Sequence, residues 1–232
     1  MDRKKWYDPA VSIPAISSRV RSAQLTTDLY RACMTLAVEA RALLVENEGL
    51  KRLGLNAEVL AAHTGAEGGG LEVIVAEIGR LSRAIGVLVA ELGQAAEELS
   101  DESIRLLHLA HQHGSYAAGW KAGIGDSSVA TFRARLDHVG QERGSRFARL
   151  DAKLHTIGGL VEDLRRIALS IPPVTTMIRI VTAEVRLHTE ALLATADGLK
   201  TFHGHLEEKV ERMGLVRRSG VAVLRELGER DA

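Results

Sequence analysis

The chain has 232 residues, and its 30 Lys+Arg balance 30 Asp+Glu, which argues against a dedicated nucleic-acid binder, since that class carries a basic excess or stripe. Its single cysteine, Cys33, excludes an intrachain disulfide and any four-cysteine zinc site. A hydrophobic fraction of 46% with only 3% aromatics and four prolines suits long helices, where unbranched side chains lose little rotamer freedom.

The opening Met1 to Pro9 is basic but is followed by no apolar signal core, so residues 1–15 are expected to be an N-terminal tail. No window approaches the roughly 18 apolar residues of a spanning helix, and a cytoplasmic protein without a membrane span is expected. A first periodic stretch runs from Ile16 to Thr64, with Leu25, Leu29, Ala32, Leu36, Leu43, Leu50, Leu53, Ala57 and Leu60 in its seam. Glu39 and Glu46 fall in the same seam. Cys33, also on this stretch, is expected to be a small buried hydrophobe.

A second stretch, from Gly70 to Gln112, alternates steps of four and three through Ile74, Ile78, Leu81, Ile85, Leu88, Leu92, Ala95 and Leu99. Such a heptad stripe marks a helix packed in a bundle seam. Gly79, Gly86 and Gly93 recur every seven residues and suggest a face where another helix comes close. Together the two stretches make a helical hairpin over residues 16–113. A glycine-dense run at residues 114–126 reads as a linker, with Asp126, Ser127 and Ser128 as N-cap candidates. Residues 127–228 read as a second hairpin, bent near residues 171–173 where Pro172-Pro173 must interrupt the helix. Its later seam takes in Val181, Val185, His188 and Leu192. The expected fold is all-α: long antiparallel hairpins forming a four-helix bundle or coiled coil. The stripes serve equally for two hairpins packed within one chain or for pairing in a homodimer.

One segment carries a more specific pattern. Leu55, Asn56, Ala57, Ala61, Ala62, Gly65, Gly68, Gly70, Val73, Ile74, Glu77, Ile78 and Leu81 fall without a gap in a span of about 27 residues. This pattern resembles the hairpin tip of the methyl-accepting chemotaxis protein signalling domain. The resemblance implies a non-enzymatic signal-transduction module acting through helix–helix contacts, with chemotaxis-type receptors, a kinase or an adaptor as helical protein partners. It places a bend at Gly65, Gly68, Gly69 and Gly70, residues that permit positive φ. It places a protein-interaction tip at Asn56, Leu60, His63, Glu67, Leu71 and Glu77. Several positions depart from the family: Leu60 replaces a glutamate, His63 an arginine and Leu71 a phenylalanine. Ala66 stands for a glutamate, and Gly69 and Gly79 for arginines. The hairpin shape is thus kept while the usual contact chemistry is largely replaced. Glu97-Glu98 looks superficially like a receptor methylation pair, but it lies only about four heptads past the bend. It reads better as a solvated face with i,i+4 pairing.

Other chemistry is sparse. His108, His111 and His113 cluster late in the second stretch, and His188, His203 and His205 lie on the fourth. A metal or haem bundle built on them is the weaker alternative, because no Glu-x-x-His pairs accompany them. The glycine-rich runs follow helices and lack the Lys-Ser/Thr of a phosphate loop. No catalytic residue, metal or cofactor is expected. The remaining alternative is a structural coiled-coil scaffold with no signalling role.

Overall fold

The computed structural model describes residues 9–64, 69–121, 129–184 and 189–231. They form five helices: α1 Pro9–Thr64, α2 Gly69–Lys121, α3 Val129–Ala168, α4 Ile171–Glu184 and α5 Thr189–Asp231. Among the described residues there is no strand, and no helix is long and apolar enough to cross a membrane. The fold is all-α.

Several boundaries differ from the sequence expectation. Residues 9–15 belong to α1 instead of a tail, and Pro9 takes the first helical position, where its fixed φ and missing N–H do no harm. Residues 114–121, expected in a linker, extend α2. Adding a residue to a formed helix is far easier than nucleating one, so Gly114 and Gly119 are carried despite their poor propensity. Gly69 and Gly70, expected in the bend, are the first two residues of α2. Gly65, Gly68, the rest of the linker and its N-cap candidates lie outside the described residues.

The contacts divide the chain into two compact units. The first comprises Met1–Met34, Glu98–Leu154 and Arg218–Ala232, and the second Thr35–Glu97 and His155–Arg217.

In the second unit the helices alternate in direction. Arg41 pairs with Glu97 at 2.9 Å, and a Cβ on Gly54 would sit 3.3 Å from Ile78. The helices α1 and α2 are therefore antiparallel, and the chain reverses between Thr64 and Gly69. Arg212 meets Glu39 at 2.9 Å, and Gly198 faces Leu53, so α5 runs antiparallel to α1. Gly158 of α3 lies against Arg217, and Arg179 of α4 pairs with Asp197 at 3.1 Å. Both α3 and α4 therefore run antiparallel to α5, in the same direction as each other.

This corrects the bend expected near residues 171–173. The turn at Leu169 and Ser170 is closed by Leu169 N–H donating to Arg165 O (3.3 Å) and Ser170 N–H donating to Ile167 O (2.9 Å). The chain then continues onward. Pro172 and Pro173 sit in the first turn of α4, where backbone N–H groups have no intrahelical acceptor. The buried stripe crosses the break in phase, through Ile157, Val161, Leu164, Ala168, Ile171, Val174, Ile178 and Thr182. The second reversal falls instead between Glu184 and Thr189. Val185 and His188 lie outside the described residues.

The core of the second unit is this stripe together with Leu36, Leu43 and Leu50 of α1 and Leu71, Ile74, Ile78, Leu81, Ile85 and Leu92 of α2. It is completed by Leu192, Leu199, Leu206 and Met213 of α5. Each fully buried Leu or Ile contributes about 1.5–3 kcal/mol. On α2 the expected Leu88 and Ala95 are half-buried, and Val89 and Ala96 take the core positions. The glycine repeat marks a close approach at Gly86 alone, where a Cβ would meet Asn47 Nδ2 at 3.0 Å. At Gly79 the only neighbour is Arg83 of the same helix, and nothing lies within 4 Å of a Cβ on Gly93.

The first unit is built from the remaining parts of α1, α2, α3 and α5, around Leu25, Leu29, Cys33, Leu99, Leu106, Leu150, Leu154, Leu224 and Leu227. Glu102, itself buried, accepts a hydrogen bond from Arg146 at 2.8 Å and has Arg149 at 3.7 Å and Arg105 at 3.8 Å. Cys33 is fully buried as expected, and burial pushes its thiol up to about 11 against the opposing pull of a hydrogen bond with Ser103.

Two measurements check this packing. Gly93→Ala should raise stability by about 0.5–1 kcal/mol through helix propensity alone. Gly198→Ala should lower it, because its Cβ would come within 2.8 Å of Leu53 Cδ2; thermal melts followed by circular dichroism report both signs. At pH 8, native Cys33 should react with a thiol reagent roughly two orders of magnitude more slowly than in urea, since the thiolate is the reactive form. Equal rates would contradict its burial.

Candidate functional site

The residues expected to form an interaction tip separate into three groups. Asn56 and His63 on α1 are exposed, and Leu60 is half-buried. The antiparallel register that sets Gly54 beside Ile78 puts Asn56 at the level of Glu77. Glu77 is half-buried and held by its own helix: Arg80 donates to it twice, at 2.5 and 2.9 Å. Those hydrogen bonds hold the Glu77 carboxyl below the usual carboxylate range. Leu71 is 2% exposed and belongs to the core. It is therefore out of reach of a partner, because α2 turns that position inward within its first turn. Glu67 lies outside the described residues.

Among the exposed polar residues at this end, such as Glu58, Glu72 and Glu190, the second unit also presents apolar side chains. Gly70, in the first turn of α2, lies against Val181 of α4, whose Cγ2 would be 3.1 Å from a Cβ on Gly70. The first turn of α2 and the last turn of α4 are thus neighbours within the unit. Val59 of α1, Val73 of α2, Ile180 of α4 and Leu193 of α5 are all exposed. Each lies within about two helical turns of the helix end that flanks a reversal. Each of four helices therefore contributes an exposed apolar side chain at this end, and α4 adds Met177. A strict heptad reading assigns such residues to outer positions without revealing that they share a level, because that depends on where the second reversal falls.

A polar cluster in the second unit fixes how α1 meets α5. Glu39 is 7% exposed, accepts from Arg212 Nη1 at 2.9 Å and from Lys209 Nζ at 3.3 Å. Lys209 also lies 3.7 Å from Glu46, which has His205 at 4.0 Å. Glu39 and Glu46 are visible in the sequence as charges in a seam, whereas their partners are not, since nothing there says that α5 packs on α1. Asn47, 2% exposed, is a further seam polar residue that periodicity passes over.

Glu97 and Glu98 both make ion pairs between helices: Arg41 pairs with Glu97, and Lys153 with Glu98. Among the described residues no three histidines converge. His108 shares a 2.8 Å hydrogen bond with Gln112 of its own helix, and His203 and His205 face Glu207 and Glu46 respectively. Among the described residues no group of three His, Cys, Asp or Glu side chains is placed to hold a metal ion. Comparison of the chain with models of known families, with curated proteins and with solved structures found no match.

Removing the buried carboxylate should be costly. Glu39→Gln leaves Lys209 and Arg212 facing a neutral group and is expected to destabilise by roughly 1–3 kcal/mol, discounted because Arg212 is half solvated. Urea titration would read the shift, and an unchanged midpoint would mean that the cluster holds nothing.

Proposed function

We propose that the protein is a non-enzymatic signal-transduction module of the cytoplasm. It engages helical protein partners through the end of the second unit where its helices reverse, in the manner of the chemoreceptor signalling hairpin that residues 55–81 resemble. The observation that carries this reading is the pairing of two reversals in one chain, with Gly70 against Val181 and an exposed apolar side chain on each of four helices around them. A receptor hairpin reaches a four-helix arrangement by dimerising, and here two hairpins of one chain supply it. The polar contacts of the family are largely replaced at this end. Apolar contact by Val59, Val73, Ile180 and Leu193, with Asn56 and His63 beside them, is the recognition chemistry that remains. A partner offering an amphipathic helical face fits such a surface.

The test is fluorescence anisotropy of a labelled chemoreceptor signalling hairpin, alone and with its adaptor and kinase, titrated with the purified chain. Wild type is expected to bind saturably. A Val59→Asp/Val73→Asp variant, altered only at exposed positions, should bind at least about tenfold more weakly, a loss of about 1.4 kcal/mol. Absence of binding by wild type, or equal binding by the variant, would overturn the reading in favour of a purely structural bundle.

A further inference from the structure

We propose that the cleft between α4 and α5 is a binding site for a small phosphate-bearing anion. This site lies in the second unit and is independent of the apolar end just described. The cleft has a volume of about 290 Å³ and is lined by Pro172, Thr175, Thr176, Arg179, Lys200 and His203. That volume is at the lower end of small-ligand sites, enough for a phosphate with a short organic stem.

The lining is one-sided in charge. It brings together a guanidinium, an ammonium and an imidazole, and no carboxylate is among the described residues that line it. Lys200 has no ion-pair partner among the described residues, and its side chain is exposed. Arg179 gives one nitrogen to Asp197 at 3.1 Å, which leaves its other N–H groups available. The His203 ring lines the cleft, while its Nε2 is shut off from solvent, makes no hydrogen bond and lies 3.4 Å from Glu207 Oε1.

The remaining lining groups narrow the chemistry. The Thr175 and Thr176 hydroxyls donate to the Ile171 and Pro172 carbonyls at 3.1 and 3.0 Å, so they are already used as donors. Pro172 and Pro173 carry no N–H, and the first turn of α4 therefore offers no backbone cradle of the usual helix N-terminal kind. Recognition falls to the Arg179 guanidinium on α4 and the Lys200 ammonium on α5, with the His203 ring beside them. Donors converging from α4 and α5 suit a tetrahedral dianion better than a planar monoanion, and charge-assisted hydrogen bonds are the strong ones. The Pro172 ring and the threonine methyls give the organic stem an apolar wall.

Isothermal titration of the full chain with inorganic phosphate and with glycerol phosphate, at constant ionic strength, tests the proposal. Nitrogen-15 spectra would follow the Arg179 Nε and His203 ring signals in parallel. Saturable one-site binding of either probe is expected, with shifts at both residues. Lys200→Ala should weaken it at least fivefold, while Lys51→Ala, an exposed control on α1, should leave it unchanged. Saturation by the ester alone assigns an organic phosphate, and saturation by inorganic phosphate alone assigns the free ion. A non-saturating response to both, or equal affinity in Lys200→Ala, would overturn the site. Because Lys200 is exposed, that variant decides even where His203→Gln does not fold.

Discussion

The buried carboxylate of Glu39, clasped by Lys209 and Arg212, is the constraint on which the second unit depends. Leucine and isoleucine stripes fill a seam, but a heptad pattern looks much the same after a slip of seven residues. A carboxylate withdrawn from water costs several kcal/mol unless its partners are in place. The register in which Glu39 meets Lys209 and Arg212 is therefore set apart from its apolar near-equivalents. Asn47 against Gly86 plays the same part between α1 and α2, as polar seam residues do in coiled coils. With α5 fixed on α1 and α2 fixed on α1, the levels of both reversals follow.

The break between α3 and α4 shows how little a proline pair needs to disturb. Pro172 and Pro173 remove donors only from the first turn of a helix, where donors have no partners in any case. The two-residue turn before them keeps the stripe in phase, so Ile157, Leu164, Ile171 and Ile178 remain seven residues apart and all buried. One arm is thus made from two helices. Its continuity moves the second reversal to between Glu184 and Thr189, which places Val181 beside Gly70 and brings α4 and α5 together along the cationic cleft.

Much of this was readable from the residues, and the limits have physical causes. The helices and their apolar stripes follow directly from periodicity, because burial of Leu and Ile dominates the energy. The second row of α2 did not: Ile74 and Leu81 are buried as expected, but Val89 and Ala96 then replace Leu88 and Ala95. A straight α-helix drifts about 20° per heptad from a 3.5-residue repeat, so one row slides to its neighbour. The Pro172-Pro173 bend was misplaced because a proline pair signals an interruption, not its direction. Leu71 looked like a tip residue by alignment, yet its level in the helix turns it into the core. The Glu39 cluster and the α4–α5 cleft were out of reach, since both depend on which helices become neighbours.

A further consequence follows from building both hairpins into one chain. Two identical hairpins joined by a twofold axis present every surface feature twice, so any partner site has a duplicate and any substitution acts at both copies. Here Val59 and Val73 belong to one hairpin and Ile180 and Leu193 to the other, with different neighbours around each. The two sides are free to diverge independently. A substitution on one side leaves the other unchanged, so one side can keep a contact while the other loses it.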